Sequence, residues 1–174
     1  MNTADRTYNV RPAAVADLSA VVDLVEAVAA EGRWIGTEQV DRPQRHDHLL
    51  ASLSNPLEGN FVADASGLVV GQIAMSLRPY GVADVGMLVA APWRGIGVGS
   101  ALLGAGVDWA RQAGAHKVAL GAWPHNEAAL ALYRKFGFAV EGLLRRHYRR
   151  RNGELWDAVL MGLLLVEEHP GGEA

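Results

Sequence analysis

Val85-Gly86-Met87-Leu88-Val89-Ala90-Ala91-Pro92-Trp93-Arg94-Gly95-Ile96-Gly97-Val98-Gly99-Ser100 runs from an apolar strand into a glycine at every second position and then straight into a helix. Glycines let the backbone approach a ligand closely and take up positive φ. The N–H groups of a first helical turn have no partner within the helix and lie at the positive end of its dipole. Together these predict an anion site suited to a pyrophosphate, built from the N–H groups of Arg94 to Ser100. Arg94 adds a fixed charge beside it, and the Ser100 hydroxyl is a further donor. The competing reading is a tight strand-to-helix turn with no ligand; the arginine in front and the helix behind favour binding.

Two other phosphate loops do not fit. No Lys-Ser/Thr pair follows Gly99, so this is not a Walker A loop. A dinucleotide fingerprint needs a third glycine three residues after the second and an acidic residue about 20 further on. Ser100 or Leu102 stands at the first of those places, and the next strand ends on Trp123-Pro124.

Working outward, Tyr8–Arg11 predicts a short strand stopped by Pro12. Leu18, Val21, Val22, Val25 and Val28 recur at helical spacing before Gly32. A weaker helix is expected from about Pro43 to Leu53, closed by Asn55-Pro56. Phe61–Ala63 and Leu68–Val70 flank Asp64–Gly67 as a hairpin, the second strand continuing to about Leu77. Strands are expected over 85–89 and 117–122, and helices from about Gly97 to Gln112 and Asn126 to Lys135. Two last strands, roughly 139–149 and 154–166, meet at Asn152-Gly153, a type I′ hairpin signal. The order β-α-α-β-β-β-α-β-α-β-β predicts one mixed α/β sheet of about seven strands with about four helices.

The chain has 174 residues, 50% of them apolar and 20% charged, which bounds it to one compact domain over 1–174, and the polar, Gly-rich stretch 167–174 is expected to be a flexible tail. A net charge of −3 offers no general attraction to nucleic acid or anionic membrane. The absence of cysteine excludes disulfides, thiolate metal sites and cysteine nucleophiles. The six histidines show no zinc spacing, so no metal is expected. Met1–Arg6 lacks a signal-peptide profile, and no apolar run approaches the ~20 residues that span a bilayer. A cytoplasmic protein is expected.

A second block, Asn126-Glu127-Ala128-Ala129-Leu130-Ala131-Leu132-Tyr133-Arg134-Lys135-Phe136-Gly137-Phe138, follows the glycine loop. With Arg94, Gly97 and Gly99 at the fixed positions of Arg/Gln-x-x-Gly-x-Gly/Ala, the pair resembles the GNAT superfamily of N-acetyltransferases over about residues 7–166. The resemblance implies a twisted, mostly antiparallel sheet with a splayed parallel pair, and acetyl-CoA as acyl donor. It implies that pantetheine pairs with Met87, Leu88 and Val89 like an added strand, and that pyrophosphate rests on Arg94, Gly95, Ile96, Gly97, Val98, Gly99 and Ser100. Tyr133 matches a tyrosine that protonates the departing thiolate, its alternative being a helix residue packed on the sheet. Asn126 matches a cofactor-contacting asparagine and also suits a helix N-cap.

For the general base the resemblance names Asp84, with Glu31, Glu38 or solvent as alternatives. The acceptor side maps onto Glu31, Trp34, Ile35, Glu38 and the final hairpin with Tyr148. Strict alternation there would put Arg146 and Tyr148 on one face and Arg145, His147 and Arg149 on the other. Most of the run Arg145–Arg151 reads as a solvated hairpin. The hairpin resembles, loosely, members of the phosphinothricin-acetyltransferase-like group, implying a small primary amine such as an amino acid. Alternatives are protein N-terminal or lysine acetylation, and a non-catalytic acyl-CoA sensor. A homodimer is expected by analogy alone.

Overall fold

The computed structural model describes residues 7–166, so the expectations for Met1–Arg6 and for the 167–174 tail lie outside the described residues. In chain order the elements are β1 (Asn9–Pro12), α1 (Leu18–Ala30, entered through a 3-10 turn at Val15–Asp17), α2 (Arg42–Leu53), β2 (Glu58–Ala65), β3 (Leu68–Leu77), β4 (Val82–Val89), α3 (Val98–Gln112), β5 (Lys117–Ala122), α4 (Glu127–Lys135), β6 (Ala139–Arg149) and β7 (Leu155–Leu164). The predicted order holds. Pro12 is the last residue of β1, not its stop, and faces Phe61.

The strands form one seven-stranded sheet in the order β1-β2-β3-β4-β5-β7-β6, antiparallel except for β4 beside β5. Two apolar clusters cover its faces. On one, α3 and α4 pack Leu102, Leu103, Val107, Leu130 and Tyr133 with Ile73, Met75, Val118 and Met161. On the other, α1 and α2 pack Leu18, Val21, Val22, Val25, Val28 and Leu49 with Val62 and Val69. The helical spacing of the α1 valines is thus the spacing of its buried stripe. Gly106 sets how closely α3 approaches the sheet, since a Cβ there would lie 2.7 Å from Ile73 Cδ1 and 2.9 Å from Met75 Sδ.

The feature that positions the site is the divergence of β4 and β5. Their pairing covers Val82↔Lys117, Ala83↔Val118 and Asp84↔Ala119 and then ends. Beyond it, β4 stays with β3 as far as Val89↔Gly71, while β5 follows β7 to Ala122↔Val159. Backbone polar groups on the inner edge of residues 85–89 thus face a cleft instead of a neighbouring strand.

Two local expectations need correction. The β6–β7 hairpin closes through a three-residue loop, with Gly153 N–H on the Arg150 carbonyl (2.9 Å) and Arg150 N–H on the Glu154 carbonyl (2.8 Å). Only Gly153, at φ 90°, takes positive φ there, whereas type I′ needs it at both central residues. Strict alternation along β6 also fails. The register passes from Leu144↔Ala158 to Tyr148↔Trp156, and Arg146 sits at φ 51° with its N–H on Asp157 Oδ1 at 2.6 Å. Residues 145–147 bulge around that bond, so Arg146 and Tyr148 do not form one regular face.

Candidate active site

The glycine loop begins where β4 ends. A 3-10 turn at Ala91–Trp93 leads to Gly95 (φ 76°) and Gly97 (φ 96°), both left-handed, and Gly97 is the N-cap of α3. The first bond of the helix runs from Ala101 N–H to the Gly97 carbonyl (3.0 Å). The N–H groups of Val98, Gly99 and Ser100 therefore have no partner within the helix. Gly99 plays a packing part: a Cβ there would lie 3.3 Å from Leu132 Cδ2 of α4. Ile96 packs on the α3-side cluster.

Arg94 is engaged within the chain. Its N–H meets the Ala91 carbonyl at 3.4 Å and its Nε donates to the Val89 carbonyl at 2.9 Å. Nη1 and Nη2 form a fork on Glu31 Oε2 and Oε1 at 2.7 and 2.6 Å. Glu31, the C-cap of α1, also accepts from Trp34 Nε1 at 2.5 Å. The Arg94 hydrogen bond is the main cause that holds the Glu31 carboxyl below its ordinary range, and burial opposes it.

Along β4, Met87 and Val89 pack on the α3-side cluster and Leu88 on the α1-side cluster. Alternation therefore turns Asp84 and Gly86 toward α1 and α2. A Cβ on Gly86 would meet nothing within 4 Å, so the cleft is open beside it. Asp84 Oδ2 accepts from Arg78 Nε at 2.6 Å, at a half-exposed position.

Tyr133 is 8% exposed, its ring 5.7 Å from that of Phe138, with no hydrogen-bond partner for the hydroxyl among the described residues. Burial pushes its phenol up to about 12. Asn126 caps α4, accepting from Ala129 N–H at 3.3 Å.

The acceptor side holds what the sequence concealed. Residues 31–41 form a strap between α1 and α2, fastened to the final hairpin by Arg150. This arginine is only 5% exposed. Its Nη1 donates to the Ile35 and Gly36 carbonyls (both 3.3 Å) and its Nη2 to the Gly32 carbonyl (3.4 Å). Its Nε lies 3.4 Å from Glu38 Oε1, and its guanidinium is 4.3 Å from the Trp156 ring centre. Glu38 Oε2 also accepts from Arg151 N–H at 3.0 Å, so this carboxylate is a fastening. His125 Nε2 donates to the Arg33 carbonyl at 2.8 Å, which makes Nε2 the protonated nitrogen.

An aromatic wall lines this side. Trp123 meets Tyr148 and Trp156 edge-on at 5.1 and 5.3 Å, His125 meets Trp156 at 4.9 Å, and Trp34 lies 6.3 Å from His125. Trp34 and Tyr148 are thus linked in turn through His125, Trp156 and Trp123, which sequence reasoning missed. One signal was legible: ligands in sheets with parallel strands collect beyond the carboxyl ends of those strands, where Trp123-Pro124-His125 stands. Among the described residues no cluster of His, Asp or Glu suits a metal ion, and no helix is long and apolar enough to cross a membrane.

Similarity to known proteins follows the same lines. The sequence profile described as the acetyltransferase (GNAT) family matches residues 24–138. The chain is 32% identical over 136 residues to the L-amino acid N-acetyltransferase AaaT of Escherichia coli strain K12, covering 74% of this chain and 82% of that protein. Among solved structures, the ribosomal-protein-alanine N-acetyltransferase of Brucella melitensis superposes with a TM-score of 0.83 at 28% identity, covering 90% of this chain and 99% of that one. A phosphinothricin acetyltransferase of Sinorhizobium meliloti, solved with acetyl-CoA, superposes at 0.83 with 20% identity, covering 97% and 94%.

Proposed function

The chain belongs to the GNAT acetyltransferase family, and from that premise we propose that it transfers an acetyl group from acetyl-CoA to the primary amine of a small molecule, an amino acid or a related amine. It is an acyl-CoA-dependent N-acetyltransferase; what is proposed is the acceptor and the part each residue plays.

The residues suit the donor. The unpaired edge of β4 offers strand-like hydrogen bonds to a pantetheine amide at Met87 and at the Val89 N–H, while Leu88 turns its backbone groups to Gln72 of β3 and Arg94 occupies the Val89 carbonyl. Gly95, Gly97 and the N–H groups of Val98, Gly99 and Ser100 take the pyrophosphate at the helix N-terminus. Asn126 keeps its amide N–H₂ for a donor contact while its oxygen caps α4. Acetyl-CoA supplies the activated acyl group, and the amine displaces its thiolate directly.

Tyr133 holds its proton at every physiological pH and gives it to the thiolate as the C–S bond breaks. The amine must first lose its own proton. Glu31 is a poor base because Arg94 stabilises its charged form, and Glu38 is committed to the hairpin. Asp84, on the cleft side and engaged by Arg78 through one oxygen, is the carboxylate best placed to accept it, with solvent as the alternative.

The single observation that supports a small acceptor is the fastened strap: Arg150, Glu38 and His125 tie residues 31–41 down on the side where a peptide acceptor would need an open groove. Trp34 and Tyr148 would contact the acceptor there. Competition assays test this, pairing each amino acid with a tetrapeptide carrying the same residue at its N-terminus and reading products by mass. Acetylation of free amino acids or small amines is expected to dominate; preferential acetylation of the peptides overturns the small-acceptor reading. A homodimer through the edge strand β6, whose Val140 and Leu143 are exposed, accompanies this proposal and is tested by sedimentation.

A further inference from the structure

Arg94 opens the glycine loop, yet each of its three guanidinium nitrogens has a partner in this chain, which leaves one N–H on each of Nη1 and Nη2. Nε holds the last carbonyl of β4, and Nη1 and Nη2 grip both oxygens of a residue 63 positions earlier. A planar fork on a carboxylate fixes orientation as well as distance. The partner is equally committed. Glu31 ends α1, the chain turns at Gly32 with φ 70°, and Glu31 Oε2 also takes the Trp34 indole N–H. Trp34 lies on the same strap that His125 and Arg150 fasten further along.

We infer that Arg94 and Glu31 form a positioning clasp which joins the glycine loop to the acceptor-side strap, so that Arg94 serves the donor through the shape of the loop and not as a ligand to phosphate. The inference rests on the acetyl-CoA reading of the loop. Both residues are positioning residues. The clasp makes the donor loop and the acceptor wall one connected body, through Arg94 at one end and Arg150 at the other. The opposite arrangement, in which Arg94 leaves Glu31 to meet the pyrophosphate, predicts the reverse sign in one measurement. Glu31 would then compete with the donor for the arginine, and its removal would tighten binding.

The test uses the full chain, with acetyl-CoA affinity by calorimetry and amide hydrogen exchange in the ligand-free protein. Under the clasp, Glu31→Gln and Arg94→Gln each weaken acetyl-CoA roughly three- to tenfold, and the double variant weakens it no more than the stronger single one. In the ligand-free protein, either change speeds exchange at the strap amides and the loop amides together. Tighter or unchanged acetyl-CoA binding in Glu31→Gln, beside a loss in Arg94→Gln, overturns the clasp. If the unaltered protein binds no acetyl-CoA, the donor reading itself fails; exchange still decides the clasp, which is overturned if loop amides ignore the loss of Glu31.

Discussion

At Tyr133, burial and chemistry ask for the same protonation state. The phenol sits in the core beside Phe138, and desolvation pushes it up to about 12, so it reaches the end of the reaction with a proton to give. Tyr133→Phe keeps the ring and removes the proton. Turnover is expected to fall on the order of 10²-fold while acetyl-CoA affinity stays nearly unchanged, checked by steady-state kinetics beside calorimetry. The same residue carries a pH signature. Between pH ~10 and about 12 the folded protein holds a proton that the unfolded chain has released, so stability falls as pH rises through that window. Chemical denaturation across it should show a shallower fall in Tyr133→Phe.

Single positions also show what the sequence could and could not disclose. The glycine spacing announced the loop because backbone conformation is a local property: Gly95 and Gly97 take the left-handed φ that only glycine adopts without cost. The partner of Arg94 was not legible, because Glu31 comes near only when α1 packs over the end of β4. Nor was the burial of Arg150, which stands in a run of arginines that composition assigns to solvent. A chain of like charges does not say which one the fold will bury.

Among the elements, β4 and β5 matter most, since their divergence opens the cleft, and the strap over 31–41 closes its acceptor side. Both strands were legible from apolar runs. The bulge in β6 was not, because it follows from the Arg146–Asp157 contact between strands. Arg150→Met is expected to destabilise the protein by about 3 kcal/mol in urea unfolding, since three carbonyls and Glu38 lose a buried partner. Its kinetic effect should fall on the acceptor: a KM raised about tenfold or more, with acetyl-CoA affinity within about threefold. On α3, Gly106→Val would drive a branched side chain into Ile73 and Met75 and cost roughly 1–3 kcal/mol, read by the same unfolding curves.

Across the whole molecule, the ion pair that ties the first strand to the first helix sets the response to acid. Arg11 forks onto Asp17 at 2.7 and 2.8 Å and reaches Asp64 at 2.9 Å, and Asp17 is 8% exposed. The Arg11 hydrogen bond leads in lowering Asp17 below its ordinary value of 3.8, and Arg94 likewise lowers Glu31 below 4.5. Each contributes stability that is present above the unfolded value and is lost as pH falls through the folded one. Stability should therefore drop below about pH 4.5, and Asp17→Asn should remove part of that drop while costing roughly 1–3 kcal/mol at neutral pH.

Acetyl transfer to an amine is the claim on which these parts converge, and thiol release tests it most directly. The chain contains no cysteine and contributes no thiol of its own. Acetyl-CoA should release free thiol only when an acceptor is present, with single amino acids and related amines among the active ones. Absence of acceptor-dependent release across amino acids, small amines and short peptides, in a protein shown to bind acetyl-CoA, would contradict the account and leave a binding protein in place of an enzyme.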